Sequence, residues 1–177
     1  DGTYLITGGL GALGLEVASW LASAGAKHVV LTGRNAAKGE AAARIAKLNE
    51  QGAKVIVKQA DVSKKEDVAG LLAWIEKELP PLKGVVHAAG VLDDGMVGEQ
   101  TWERFRKVMA PKALGAAFLA EALSGQQQPL DFLALFSSAA SILGNPGQTN
   151  YAAANAVLDA LALGGAPPSR HSATSLN

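Results

Sequence analysis

Short runs of apolar, β-prone residues alternate along the chain with longer stretches whose apolar positions recur at helical spacing. Thr3 to Thr7, His28 to Thr32, Lys54 to Lys58, Leu82 to His87 and Asp131 to Phe136 read as strands, and Ala173 to Leu176 opens a sixth. Between them, Leu13 to Ala24, Ala36 to Gln51, Ser63 to about Leu79, Gly98 to Ala122 and Gln148 to Leu163 read as helices. The first helix carries Leu13, Val17, Trp20 and Leu21 on its apolar face. Ser63, with Glu66 three residues on, suits a helix N-cap, and Pro111 marks where the long fourth helix would break.

Strands that are nearly continuous in apolar residues belong to a parallel sheet covered on both faces. With right-handed crossovers, the alternation predicts an α/β fold: a doubly wound, parallel Rossmann-like sheet with helices on both faces, truncated near the sixth strand. There is no internal repeat and no mid-chain linker, so residues 1–177 are expected to form one domain. The one Gly/Pro-rich stretch, Gly164 to Pro168, separates the last helix from the last strand. Both ends fall on core elements, which reads as a domain excised from a larger polypeptide.

Composition narrows the function. Apolar residues make up 49% and charged residues 18%, a globular profile that argues against disorder. Sixteen basic and sixteen acidic residues balance, so neither nucleic acid nor a membrane surface is expected as a partner. The absence of cysteine excludes disulfides and thiolate metal sites, and no metal is expected. No apolar run approaches the roughly 20 residues of a membrane helix, and no leader opens the sequence. The expected compartment is cytoplasmic.

Between the first strand and first helix lies Thr7-Gly8-Gly9-Leu10-Gly11-Ala12-Leu13-Gly14. A G-x-G-x-x-G alone is weak and describes many flexible turns. Set between a strand and a helix, its glycines let the backbone approach a pyrophosphate, and the helix N-terminus offers free N–H groups. The second strand ends in Thr32-Gly33-Arg34-Asn35, without the acid that an NAD site uses to hold ribose hydroxyls. A guanidinium there can pair with a 2′-phosphate, which favours NADPH, although a solvated loop arginine would read the same way. Asp61-Val62, after the third strand, suits an adenine-contacting turn or a cap for the next helix. Ala88, Ala89 and Gly90 leave room for a cofactor beside the fourth strand, while His87 reads as a packed histidine without a chemical role.

The fifth strand delivers Ser137 and Ser138 to the carboxyl edge of the sheet, where ligands bind in open α/β folds. Tyr151 and Asn155 follow at i, i+4 spacing on one helix face. Ketone reduction needs a hydride donor on one face and a proton donor at the oxygen. A phenol, ordinarily titrating near about 10, needs a nearby cation to serve at neutral pH. A second hydroxyl, from Ser138, can hydrogen-bond the developing alkoxide. Taken alone, Tyr-x-x-x-Asn means little; its register with Ser138 and the glycine turn gives it weight.

Together TGGLGALG, HAAG, the serine–tyrosine pair and GQTNYAAAN resemble the short-chain dehydrogenase/reductase superfamily. That superfamily usually carries Tyr-x-x-x-Lys, whereas Asn155 stands here at the lysine position, and Lys112 occurs on the helix after HAAG. Such an exchange resembles the ketoreductases of polyketide synthases and animal-type fatty acid synthases. The resemblance spans nearly the whole chain, through VVLTGRN, GVVHAAGVLDDG, FSSAASILGNPGQTNYAAANA and SATSLN. It implies an NADPH-dependent reductase with Lys112, Ser138, Tyr151 and Asn155 as the catalytic set. The implied substrate is a β-ketoacyl thioester tethered by phosphopantetheine to an acyl carrier protein. Also implied are an N-terminal structural subdomain, neighbouring synthase domains and a substrate lid beyond the last strand. Leu92-Asp93-Asp94 matches the LDD motif of B-type members, which give the D-hydroxyl, and Leu143 stands where A-type members carry tryptophan. Asp94, Leu143 and Gln148 form the expected stereocontrol set, although Asp93 and Asp94 also suit an ordinary turn. Two other readings remain open: a stand-alone reductase of a small ketone, and a silent domain that serves as scaffold.

Overall fold

A computed structural model describes residues 2–125, 129–164 and 173–176. Six strands, β1 (Thr3–Thr7), β2 (His28–Gly33), β3 (Lys54–Gln59), β4 (Leu82–His87), β5 (Phe132–Phe136) and β6 (Ala173–Leu176), form one sheet. All pair in parallel, in the order β3-β2-β1-β4-β5-β6, so the direction of winding reverses between β1 and β4. This is the doubly wound arrangement expected from the alternation of elements.

Successive strand side chains point to opposite faces, which is why the strands are apolar throughout. Leu5, Val30, Val85, Leu133 and Leu135 pack on one face against α3 (Lys65–Glu78), α5 (Gly115–Ser124) and α7 (Thr149–Leu163). Ile6, Val29, Leu31, Val55 and Val86 pack on the other against α1 (Ala12–Ser23) and α2 (Gly39–Glu50).

The helices depart from expectation where two patterns compete. In α1 the sheet takes Gly14, Leu15, Ala18 and Leu21, leaving Leu13 half exposed and Trp20 64% exposed. The cause is Gly14: a Cβ there would lie 2.5 Å from the Gly8 carbonyl oxygen, so this face must press on the turn. Ser63 is not the cap of α3. Its N–H and hydroxyl both donate to Asp61 Oδ1, at 3.1 and 2.7 Å, and the helix starts one residue later than a Ser63 cap would place it, behind Lys64. The second helix begins at Gly39, not Ala36, leaving residues 36–38 in the wall of a cavity.

The long fourth helix is three pieces. After a 3₁₀ turn at Val97–Glu99, α4 (Trp102–Met109) starts on the Thr101 hydroxyl, a π turn spans Ala110–Leu114, and α5 follows. Pro111 has no N–H and its ring collides with the carbonyl one turn back; the wider π turn accommodates both. A short helix absent from the sequence reading, α6 (Ala140–Leu143), ends at Gly144, whose φ of 70° closes it. Residues 165–168 of the Gly/Pro-rich stretch lie outside the described residues.

Candidate active site

At the reversal between β1 and β4 a cavity of about 440 Å³ opens at the carboxyl edge of the sheet. The turn after β1 contributes Gly8, Leu10 and Gly11, the end of β2 Arg34, the end of β3 Asp61 and Val62, and the end of β4 Ala89 and Gly90. Residues expected at the site but set behind this lining build its wall. Gly9 N–H donates to the Thr32 carbonyl at 3.1 Å, and Ala88 N–H donates to the Thr7 carbonyl at 3.1 Å. Leu13 faces away on α1, outside the cavity.

The backbone at the turn is shaped for close approach. Gly8 has φ of 65° and its missing Cβ would stand 2.7 Å from the Ala88 carbonyl oxygen. A Cβ at Gly8 would therefore push the turn away from the backbone after β4, and one at Gly14 would push it away from α1, so either would reshape the cradle a pyrophosphate needs. Arg34 supplies the cationic end of the cavity. Asp61 beside it stays ionised: burial raises its carboxyl, but the Ser63 hydroxyl and amide outweigh this, and Arg34 and Lys64 lower it further. These residues fit a dinucleotide carrying an extra phosphate.

At the other end the cavity reaches Pro111, at the π turn. The turn aims the next side chain, Lys112, inward: it is only 4% exposed. Its Nζ donates to the Phe136 carbonyl at 2.7 Å and stands 5.3 Å from the centre of the Tyr151 ring. It also lies 3.9 Å from where a Gly90 Cβ would sit, which ties the ammonium to the cavity floor. Burial lowers its pKa to about 8 against the raising influence of Asp159.

His87 fixes the backbone of that π turn. Its Nε2 lies 2.8 Å from the Lys112 carbonyl oxygen, which can only accept, so Nε2 bears the proton. Nδ1 then accepts from the Thr7 hydroxyl at 2.7 Å. Full burial lowers its pKa to about 4, and the ring is neutral at pH 7. The packed histidine of the sequence reading thus joins the glycine turn to the lysine segment.

Tyr151 is partly buried on α7, and Asn155 sits one turn below it, fully buried. Asn155 Nδ2 donates to the Tyr151 carbonyl at 2.8 Å, while its Oδ1 is buried without a hydrogen-bond donor. The Ser138 hydroxyl accepts from the Ala140 N–H at 3.2 Å, the start of α6, and remains partly exposed on the segment after β5. Leu143 is 82% exposed on α6.

The loop of Asp93 and Asp94 is laced to the approach to Tyr151. Gln148 Nε2 donates to Asp94 Oδ2 at 2.9 Å, Gly95 N–H to the Gly147 carbonyl at 2.7 Å, and Asn150 Nδ2 to the Asp93 carbonyl at 2.8 Å. On the far side, Lys107 and Arg104 of α4 bind the Asp93 carboxylate and hold it below its usual range. Arg104 carried no motif in the sequence, and Asn150, although inside GQTNYAAAN, was given no role there. Asp159 did leave a signal: it continues the Tyr151, Asn155 series by one more turn of the same face. Its Oδ2 lies 2.5 Å from the Ser141 hydroxyl.

Known proteins share this fold. The family model described as KR domain matches residues 2–177. A 6-methylsalicylic acid synthase of Arthrobotrys oligospora is 43% identical over 173 residues, covering 92% of this chain and 10% of that protein. A ketoreductase domain from the bacillaene assembly line superposes with a TM-score of 0.92 at 37% identity, over 99% of this chain and 43% of the other. A structure described as A-type ketoreductases from a modular polyketide synthase gives 0.86 at 41% identity, over 98% and 36%. The chain thus spans about a tenth of that synthase and less than half of these solved chains.

Proposed function

The chain belongs to the KR domain family, the ketoreductases of polyketide synthases, and on that premise we propose that it reduces a β-ketoacyl thioester to the β-hydroxyacyl thioester with NADPH. The observation that carries the reading is the Lys112 ammonium, buried beside the Tyr151 ring and next to Gly90, which lines a cavity that begins at Arg34.

When bound, the reduced nicotinamide supplies a hydride to the β-carbon of the substrate. The chain's own residues do the rest. Gly8 and Gly11 receive the pyrophosphate, Arg34 pairs with the 2′-phosphate, and Ala89 and Gly90 admit the nicotinamide half. Tyr151 donates its phenolic proton to the ketone oxygen as charge develops there, and the Ser138 hydroxyl hydrogen-bonds the same oxygen. The Lys112 ammonium stabilises the phenolate left behind. Held by Phe136 and by the His87-braced π turn, it needs little reorganisation to do so.

The same reading extends to stereochemistry and partners. Asp94 and Gln148, hydrogen-bonded to each other just ahead of Tyr151 in the chain, support the B-type reading, with the D-hydroxyl as product. The substrate arrives on the phosphopantetheine arm of an acyl carrier protein, with neighbouring synthase domains and an N-terminal structural subdomain in the same assembly. Among the described residues no helix is long and apolar enough to cross a membrane.

The test supplies the complete protein with NADPH and a β-ketoacyl-N-acetylcysteamine thioester, follows loss of nicotinamide absorbance, and resolves the product on a chiral column. A D-configured β-hydroxy product is expected. No turnover would overturn the reading, and an L-configured product would overturn its stereochemical part.

A further inference from the structure

We propose that Asp159 is a positioning residue for this reduction: its carboxylate supplies the counter-charge to the buried Lys112 ammonium and ties the Ser138 segment to the helix that carries Tyr151. The inference rests on the role given above to Lys112 and Tyr151, and extends it to a residue outside the catalytic set.

The argument begins with the cost of burial. An ammonium that is 4% exposed needs compensation. Its hydrogen-bond partner, the Phe136 carbonyl, is neutral, and the Tyr151 ring offers only the negative face of its π system. Asp159 is the anion that acts on it, through space and without a direct ion pair.

The neighbouring ionisable groups leave that task to Asp159. Tyr151 faces Lys112 from α7, Asp159 lies two turns further along the same helix face, and the neutral His87 faces the Lys112 backbone from β4. Arg104 and Lys107 of α4 turn to Asp93, while Glu121 of α5 pairs with Lys65.

Asp159 is also built into the serine segment. Ser141 Oγ lies 2.5 Å from Asp159 Oδ2 and 2.8 Å from the Ser138 carbonyl oxygen, which also accepts the Ser141 N–H at 2.9 Å. One carboxylate thereby fixes the turn that presents the Ser138 hydroxyl. The second oxygen, Oδ1, is buried without a donor in hydrogen-bond geometry. Burial would raise the Asp159 carboxyl, but the hydroxyls of Ser141, Ser137 and Ser175, and then Lys112, keep it ionised.

The experiment compares kcat/KM against pH for the complete protein and its Asp159→Asn variant, with NADPH and the same thioester. Reduction needs the ammonium form of Lys112, so the wild-type rate falls as pH rises through about 8. Removing the counter-charge should move that fall down by about one pH unit, and Asp159→Glu should restore most of it. The affinity for NADPH, read by nicotinamide fluorescence, should stay within about twofold. An alkaline fall that stays at the wild-type pH overturns the proposal, whatever the loss of rate. If Asp159→Asn yields no folded protein, the paired Lys112→Met, Asp159→Asn variant decides. Recovery of folded protein supports the charge relationship, and failure of the pair overturns it. A wild type that reduces no thioester overturns the parent reading and this one with it, which a shift-free profile does not.

Discussion

Lys112 Nζ stands 5.3 Å from the centre of the Tyr151 ring, although the two side chains come from separate segments, the π turn and α7. In most short-chain reductases the lysine shares the tyrosine's helix; here Asn155 holds that position and is turned to the Tyr151 carbonyl. Pro111 widens the helix into a π turn and His87 holds the Lys112 carbonyl, which places the ammonium beside the ring. The pairing of lysine and tyrosine that elsewhere depends on one helix depends here on the packing of the π turn against α7.

Tyr151→Phe tests that relationship directly. Phenylalanine keeps the ring above the Lys112 ammonium and removes only the proton donor. We expect kcat to fall by about 10² to 10⁴, while the NADPH dissociation constant, measured by fluorescence, changes by less than about twofold. A variant that turns over at the wild-type rate would remove Tyr151 as the acid.

The parts of this site that the sequence displays are those with local causes. A glycine that tolerates φ of 65° and a tyrosine one turn from an asparagine can be read from spacing, and so can strands apolar on both faces. What stayed hidden depends on tertiary choice. Leu13 and Trp20 read as core because α1 is apolar on two sides, and only the close contact of Gly14 with Gly8 selects the other face. Ser63 and Asp61 both read as caps, and spacing alone does not show that Asp61 takes the Ser63 N–H and hydroxyl instead of the helix. His87 looked inert because its partners, Thr7 and the Lys112 carbonyl, are distant in sequence. Asn150 and Arg104, which bind the Asp93 loop, belong to no periodic pattern at all.

Arg34→Asp tests the phosphate end of the cavity. The guanidinium faces the space beside Asp61, whose carboxyl it lowers, so a carboxylate at position 34 would put two anions at the expected 2′-phosphate site. Loss of one charge-assisted contact costs about 1.5–3 kcal/mol, so NADPH affinity should drop by roughly 10- to 150-fold. NADH, which lacks the phosphate, should lose no more than about threefold. Equal weakening of both, measured by fluorescence titration, would show that Arg34 does not read the phosphate.

His87 makes folding sensitive to acid, and the sign follows from its environment. Its pKa is about 4 when folded and 6.5 in its ordinary state, so between those values the unfolded chain binds more protons than the folded one. Stability contributed by the neutral ring is therefore fully present above pH 6.5 and is lost as pH falls towards 4. At 1.36 kcal/mol per pH unit the whole displacement is worth about 3 kcal/mol. His87→Asn should lower stability at pH 7, since the amide cannot span Thr7 and the Lys112 carbonyl as the ring does. It should also flatten the decline between pH 6.5 and 4, because the group that must take up a proton is gone. Urea denaturation at pH 7, 5.5 and 4.5 measures both effects. Asp61 and Asp159, whose carboxyls lie below their ordinary values, lose their own contributions mainly at still lower pH and are common to both proteins. If wild type and variant lose stability at the same rate across that window, the neutral, buried His87 is not the source of the acid sensitivity.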